Sequence, residues 1–342
     1  MKAAVWTGID KIEIKDLPMP EIGEEEAIIK VRAAGVCVTD YHIISGKLKL
    51  GKMPNVQGHE ICGEVYKINS SRTDIKVGQR CVIATTVSCG KCAFCREGKG
   101  YLCKDSGEIG YYPYNGGYEE YTKVPVSCIV PIPDEVSDLA GSILESCVCP
   151  TESLMRIGVP LNSNVLVMGV GPAGLAYIMI AKLMGAGKVI SLVRSEKNAL
   201  RAKKFGADVV INSKETPNVV EEIKKITNGE GADIVIEATG TPSIIALGIE
   251  CCKKGGSIIQ YGISGDDEQV NLPVKDIVAN EKTIYGAVGN TKAWYPLVEL
   301  IKNGKLDLEK MVTYKFKLED IDKAFDLYRN HDSDLIKSVI VF

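Results

Sequence analysis

The chain lacks a basic excess. Its 41 lysines and arginines stand against 44 aspartates and glutamates, a formal net charge of −3 over 342 residues. No basic stripe stands out, and recognition of a phosphate backbone needs clustered cations, so nucleic acid is not an expected partner. Also missing is any apolar run near the roughly 20 residues that cross a bilayer, so no membrane partner is expected either. The opening segment Met1-Lys2-Ala3-Ala4-Val5-Trp6 has none of the long apolar stretch of a secretory signal. The expected compartment is therefore the cytoplasm. There is no internal repeat and no low-complexity tract. Histidine is scarce, with three in all, whereas cysteine is not, with twelve. In a reducing compartment, thiols point to metal ligation, catalysis or burial rather than to disulfides.

What is present divides the chain in two. A length of 342 residues suggests two domains. Up to about residue 130 the texture is short strands broken by glycine and proline, such as 27–33 and 63–68, with the alternation of half-buried strands. From about residue 150 strands alternate with helical patterns. Strands are read at 165–168, 189–193, 208–211, 233–237 and 256–261, with helices at 175–183, 198–205 and 219–227. That alternation predicts a parallel, doubly wound sheet. A helix near 294–302 and a closing strand at 337–342 follow. The expected division is 1–146 with 289–342 as one domain and 147–288 as a second inserted within it.

Four cysteines, Cys89, Cys92, Cys95 and Cys103, lie within 15 residues. Four thiolates on one short loop suit a closed, tetrahedral Zn²⁺ site, and a closed site offers no open position for chemistry. Its expected role is structural. The ferredoxin pattern of iron–sulfur proteins is spaced differently and ends in Cys-Pro. A second constellation comprises Cys37, His42, His59 and Glu60. Cysteine, histidine and carboxylate are zinc ligands, and a catalytic zinc keeps one position for substrate or water. Taken singly, Cys37 reads as a buried small side chain and His59 as a core histidine. Yet two of the three histidines of the chain fall in these segments.

The segments Gly35-Val36-Cys37-Val38-Thr39-Asp40-Tyr41-His42 and Gly58-His59-Glu60-Ile61-Cys62-Gly63-Glu64-Val65 are followed in order by the four-cysteine loop and a glycine fingerprint. Gly116-Gly117-Tyr118-Glu119-Glu120-Tyr121 and Ala238-Thr239-Gly240 fit the same order. The whole chain thereby resembles the zinc-containing medium-chain alcohol and polyol dehydrogenases. The resemblance implies a GroES-like, mostly-β catalytic domain and an inserted Rossmann domain. It also implies two zinc ions per chain, one catalytic and one structural, and a homodimer or homotetramer acting on a small alcohol or polyol. Cys37 and His59 would ligate the catalytic zinc, joined by Glu60 in some members. Asp40 would fix the tautomer of His59. Thr39 would meet the substrate oxygen and His42 would end a proton path. The remaining ligand would lie in 144–151, where Glu145 is favoured over Cys147 and Cys149, each a small register shift away.

Gly169-Val170-Gly171-Pro172-Ala173-Gly174 follows a strand and opens a helix, the context a dinucleotide site requires. NAD-binding folds place an acid at the end of the second strand to hold the ribose 2′-hydroxyl. Here that place is Val193, followed by Arg194 and Ser195, which can bond a 2′-phosphate. NADP is therefore favoured and NAD is the alternative, in which Glu196 takes the ribose. Lys337 falls near the position where relatives carry a phosphate-binding arginine; it is either a pyrophosphate contact or a surface residue. Two other functions compete: a zinc-free NADPH quinone or enone reductase of the same fold, and a non-enzymatic zinc module. The retained metal ligands argue against the first and the full dinucleotide unit against the second.

Overall fold

The computed structural model describes residues 1–265 and 267–342. The chain divides into two compact units, Met1–Val148 with Asn290–Phe342, and Cys149–Gly289.

The first unit is built mainly of antiparallel strands. In Glu26–Val36, Lys30 and Arg32 are exposed while Ile29, Val31 and Ala33 are buried, the two-residue period of a half-buried strand. This strand pairs with Glu60–Asn69 on one side. On the other it pairs with the closing strand Lys337–Val341, Ser338 opposite Val36 and Val341 opposite Ala33. The last strand of the chain thus completes a sheet begun by its first domain segment. Beneath lies a core that includes Ile29, Val31, Val65, Ile83, Ile129, Phe325 and Ile340.

Among the described residues, the second unit holds six strands, all parallel. Numbered in chain order within this sheet, they run 3-2-1-4-5-6, the doubly wound order of dinucleotide-binding folds. Asn164–Met168 and Lys188–Val193 are buried at every position after the first, as strands covered on both faces must be. Two of the helices that follow, Glu196–Lys204 and Val219–Ile226, start on side-chain caps. Ser195 Oγ accepts from the Asn198 N–H and Asn218 from the Glu221 N–H, satisfying donors that a helix start leaves open.

Several elements depart from the expected pattern. Val38–Ile44 is a helix within the segment read as strands and turns. Glu145–Ile157 is a helix that carries Pro150 inside it. Pro242–Cys251, Thr283–Gly286, Val312–Phe316 and Ile321–Arg329 are further elements the periodicity did not reveal.

One buried acid makes stability depend on pH. Glu119 is 1% exposed, and burial pushes its carboxyl up to about 8 against hydrogen bonds from Thr122 and Asn115. Between the ordinary value of 4.5 and about 8, the unfolded chain has lost this proton and the folded chain retains it. Stability therefore falls as pH rises through that window, by up to about 1.4 kcal/mol per pH unit. Glu119→Gln keeps a neutral side chain at every pH. The urea midpoint of this variant is expected to match the parent near pH 5 and exceed it at pH 8. A parent-like midpoint at pH 8 would refute the assignment.

Candidate functional site

The helix Val38–Ile44 presents three of the expected residues. Cys37 caps it, in a reciprocal arrangement with Asp40 that fixes the first turn. Asp40 is fully buried. Its Oδ1 lies 3.0 Å from His59 Nδ1. Its Oδ2 accepts from the Tyr118 hydroxyl at 2.7 Å and from the Cys37 N–H at 3.3 Å. Burial opposes its charge, but His59 and these donors hold its carboxyl below the ordinary range. In return the Asp40 charge overcomes burial and raises His59 well above the usual imidazole range. The bond to Asp40 holds one proton on Nδ1, so a metal would bind at Nε2 by displacing the other.

His59 reaches this place because Gly58 turns the chain there. Gly58 has φ +97°, and a Cβ on it would sit 2.7 Å from the Tyr118 ring. No larger residue fits without moving the tyrosine that bonds Asp40. Tyr111 packs edge-on against His59 with ring centroids 5.9 Å apart.

Ligand atoms of Cys37, His59 and Glu60 lie within 4.8 Å of one another. Glu60 is fully buried and its Oε2 has no hydrogen-bond partner. An orphaned carboxylate oxygen beside a thiol and an imidazole is the donor set of a zinc ion with a position to spare, so the residues fit that metal. Glu145, Cys147 and Cys149 do not join this group. Burial pushes the Glu145 carboxyl up to about 7, with His59 drawing it down and Glu60 adding to the rise. Burial likewise pushes the Cys147 thiol up to about 12, and the Cys149 sulfur bonds the Val288 carbonyl at 3.8 Å.

Lys337 corrects an expectation. It is not a surface residue. It is 2% exposed, and its ammonium pairs with Glu60 Oε1. A buried ammonium needs a counter-charge, and Glu60 supplies it.

Thr39 Oγ1 lies 3.6 Å from Cys37 Sγ. His42 stands three residues on, on the same helix face. Burial first, then Lys47, lowers its pKa. Two contributors were not visible in the sequence. Tyr118 stands in the sequence only as part of a motif, and its bond to Asp40 needs the fold. Glu108 lies on the short strand Gly107–Glu108; burial raises its carboxyl and His59 draws it down.

The sulfurs of Cys89, Cys92, Cys95 and Cys103 also lie within 4.8 Å of one another. The N–H groups of Lys91 and Cys92 pull the Cys89 thiol down to about 6, toward the thiolate that metals bind. Four converging thiols fit a structural zinc. Among the described residues, these two clusters are the groups able to hold a metal.

In the second unit, Gly169 has φ +103° and Gly171 caps the helix Pro172–Leu183, with Pro172 in its first turn. A Cβ on Gly171 would meet nothing within 4 Å, whereas one on Gly174 would lie 2.1 Å from the Gly169 carbonyl oxygen. The second glycine therefore faces the open space a pyrophosphate needs at the helix N-terminus, and the third packs the helix onto the turn. Ala173 lies between them. At the end of the second strand Val193 is 3% exposed, Arg194 is exposed and Ser195 caps the next helix.

Residues 23–134 match the family model of the alcohol dehydrogenase GroES-like domain. Residues 172–303 match the model of the zinc-binding dehydrogenase domain. The chain is 31% identical to sorbitol dehydrogenase of Bacillus subtilis, over 99% of this chain and 97% of the relative. It is 32% identical to L-threonine 3-dehydrogenase of Pyrococcus horikoshii, over 96% and 94%. Among solved structures, a protein of Sinorhizobium meliloti described as a zinc-binding dehydrogenase, with NADP bound, superposes with a TM-score of 0.92 at 28% identity. It covers 100% of this chain and 99% of its own.

Proposed function

Because the chain belongs to the zinc-containing medium-chain alcohol and polyol dehydrogenases, we propose that it interconverts a secondary alcohol or polyol and its carbonyl with NAD(P). The observation that carries this reading is the convergence of Cys37, His59 and Glu60 on one point, with Asp40 fixing the imidazole. A zinc ion held there would supply a Lewis acid for the alcohol oxygen, and NAD(P) would supply the hydride acceptor. Cys37, His59 and Glu60 hold that ion, with Glu145 close enough to sense both His59 and Glu60. Cys89, Cys92, Cys95 and Cys103 hold a second. Thr39 Oγ1 takes the hydroxyl proton of the substrate and His42 receives it at a ring nitrogen. Gly169, Gly171, Pro172, Ala173 and Gly174 seat the dinucleotide.

The test is a panel of polyols, diols and 2-amino-3-hydroxy acids, each offered with NAD and NADP. Cofactor reduction with at least one secondary alcohol supports the reading. Activity confined to quinones or enones would replace it with the reductase. His42→Ala is expected to lower turnover less than loss of His59 does, at most by the roughly 10²–10⁴-fold of general acid–base groups, and stopped-flow hydride transfer measures it.

For the cofactor, NADP is the favoured partner, since Val193 offers no carboxylate to a ribose and Arg194 can bond a phosphate in bidentate fashion. Arg194→Ala should weaken NADP by about 10- to 100-fold and leave NAD nearly unchanged. Val193→Asp should shift kcat/KM toward NAD. A parent that prefers NAD contradicts this.

Among the described residues, the edge strand Thr283–Gly286 pairs on one side only; Ile284 within it, and Val274 and Val278 in the preceding helix Val274–Ala279, are exposed. Such an edge suits a second copy of the chain, as a homodimer or homotetramer. Among the described residues no helix is long and apolar enough to cross a membrane. None of the twelve cysteines forms a disulfide, which fits a cytoplasmic setting.

A further inference from the structure

Glu237 closes the fourth strand of the parallel sheet, Ala232–Glu237, and is 0% exposed. The hydrogen bonds it accepts all come from neutral donors. Its Oε1 accepts from the Thr239 N–H at 2.7 Å and the Thr239 hydroxyl at 2.5 Å. The Gly240 N–H reaches both oxygens, at 3.2 and 3.1 Å. Its Oε2 accepts from Gln260 Nε2 at 2.8 Å, and the same nitrogen donates to the Gly262 carbonyl at 2.7 Å. Gln260 ends the fifth strand, directly opposite Glu237 in the register.

One carboxylate thus ties two loops, 238–240 and 261–264, which are locked further by Ser264 Oγ donating to the Gly240 carbonyl at 2.8 Å. The first of these loops bears on the glycine fingerprint. Ala238 N–H donates to the Met168 carbonyl at 3.0 Å. A Cβ on Gly169 would lie 2.9 Å from Thr239 Cγ2. A buried carboxylate is costly unless its lone pairs are filled, and here all of its donors come from the loop backbone, Thr239 and Gln260.

In a 3-2-1-4-5-6 sheet the ligand lies outside the carboxyl ends of the strands, and the residue that meets the adenosine ribose ends the second strand. The adenine half therefore belongs to strands 1–3. The loops after strands 4 and 5 are left to the nicotinamide half. We propose that Glu237 is a positioning residue for that half of the dinucleotide, setting 238–240 and 261–264 at the height the nicotinamide requires. The proposal rests on the dehydrogenase reading above. It requires a carboxylate: an amide offers one acceptor oxygen and turns an NH₂ toward the Gly240 N–H or the Gln260 NH₂.

The test is equilibrium binding to the full chain with its zinc, by titration calorimetry. Glu237→Gln is expected to weaken the preferred dinucleotide by about 10- to 100-fold, the range for losing a bond to a charged group. Binding of ADP or 2′,5′-ADP, which carry only the adenine half, should stay within about twofold. Gln260→Met removes the side-chain bridge from the carboxylate to the 261–264 loop and leaves the carboxylate in place. It should give the same selective pattern, about three- to tenfold, and decides the matter if Glu237→Gln does not fold. Equal weakening of dinucleotide and adenine half, or unchanged dinucleotide binding, overturns the proposal. A parent chain that binds neither NAD nor NADP overturns the dehydrogenase reading itself, a result distinct from either of these.

Discussion

His59→Ala is expected to reduce alcohol-dependent turnover by about a thousandfold or more while the affinity for NAD(P) stays close to that of the parent. The magnitude follows from the metal that His59 is proposed to hold. A Lewis acid at the reacting oxygen is worth several kcal/mol, and each 1.36 kcal/mol is a factor of ten. Removing the imidazole leaves Cys37 and Glu60 as the converging donors and strips Asp40 of one of its three partners. Dinucleotide binding is spared because the glycine fingerprint belongs to the other unit of the chain. Steady-state turnover with one good alcohol, paired with cofactor titration, checks both halves. Turnover within a few-fold of the parent, or loss of both properties together, would show that His59 does something else.

Cys92→Ser is expected to release one zinc per chain and to lower the melting temperature by about 10 °C or more. A serine hydroxyl does not replace a thiolate at a four-sulfur site. Structural zinc contributes folding free energy directly, and several kcal/mol at about 2–4 °C each gives that shift. The loop has little else to hold it: Ala93–Arg96 is a single turn of helix with no buried residue. Turnover measured well below the melting point should survive better than in His59→Ala, because the four-cysteine site has no open position for substrate. Metal analysis and calorimetry read the two effects. An unchanged zinc content would remove the four-cysteine site from the account.

Much of this was legible in the residues, for identifiable reasons. The four-cysteine loop is local, so spacing alone brings its sulfurs together. The strands at 165–168 and 189–193 are buried on both faces, so their apolar runs are unbroken. The glycine fingerprint encodes a turn, an approach and a packing contact in six residues. What was missed is short or non-local. Val38–Ile44 spans seven residues, too few for a helical period to register, and its cap is a Cys–Asp pair rather than a serine or threonine. Thr283–Gly286 has four residues and no alternation of buried and exposed positions. The bond from Tyr118 to Asp40 joins positions 78 residues apart, and the pairing of Lys337 with Glu60 joins positions 277 apart. No periodicity reports such contacts. Lys337 shows the consequence: its place on the closing strand was read correctly, but a strand residue points to one of two faces, and this one points inward to a carboxylate.

The metal content of the full chain as purified tests the two proposed metal sites most directly. Two zinc ions per chain are predicted, one at Cys37, His59 and Glu60 and one at Cys89, Cys92, Cys95 and Cys103. A chain that oxidises alcohols at full rate with one zinc, or with none, would contradict this.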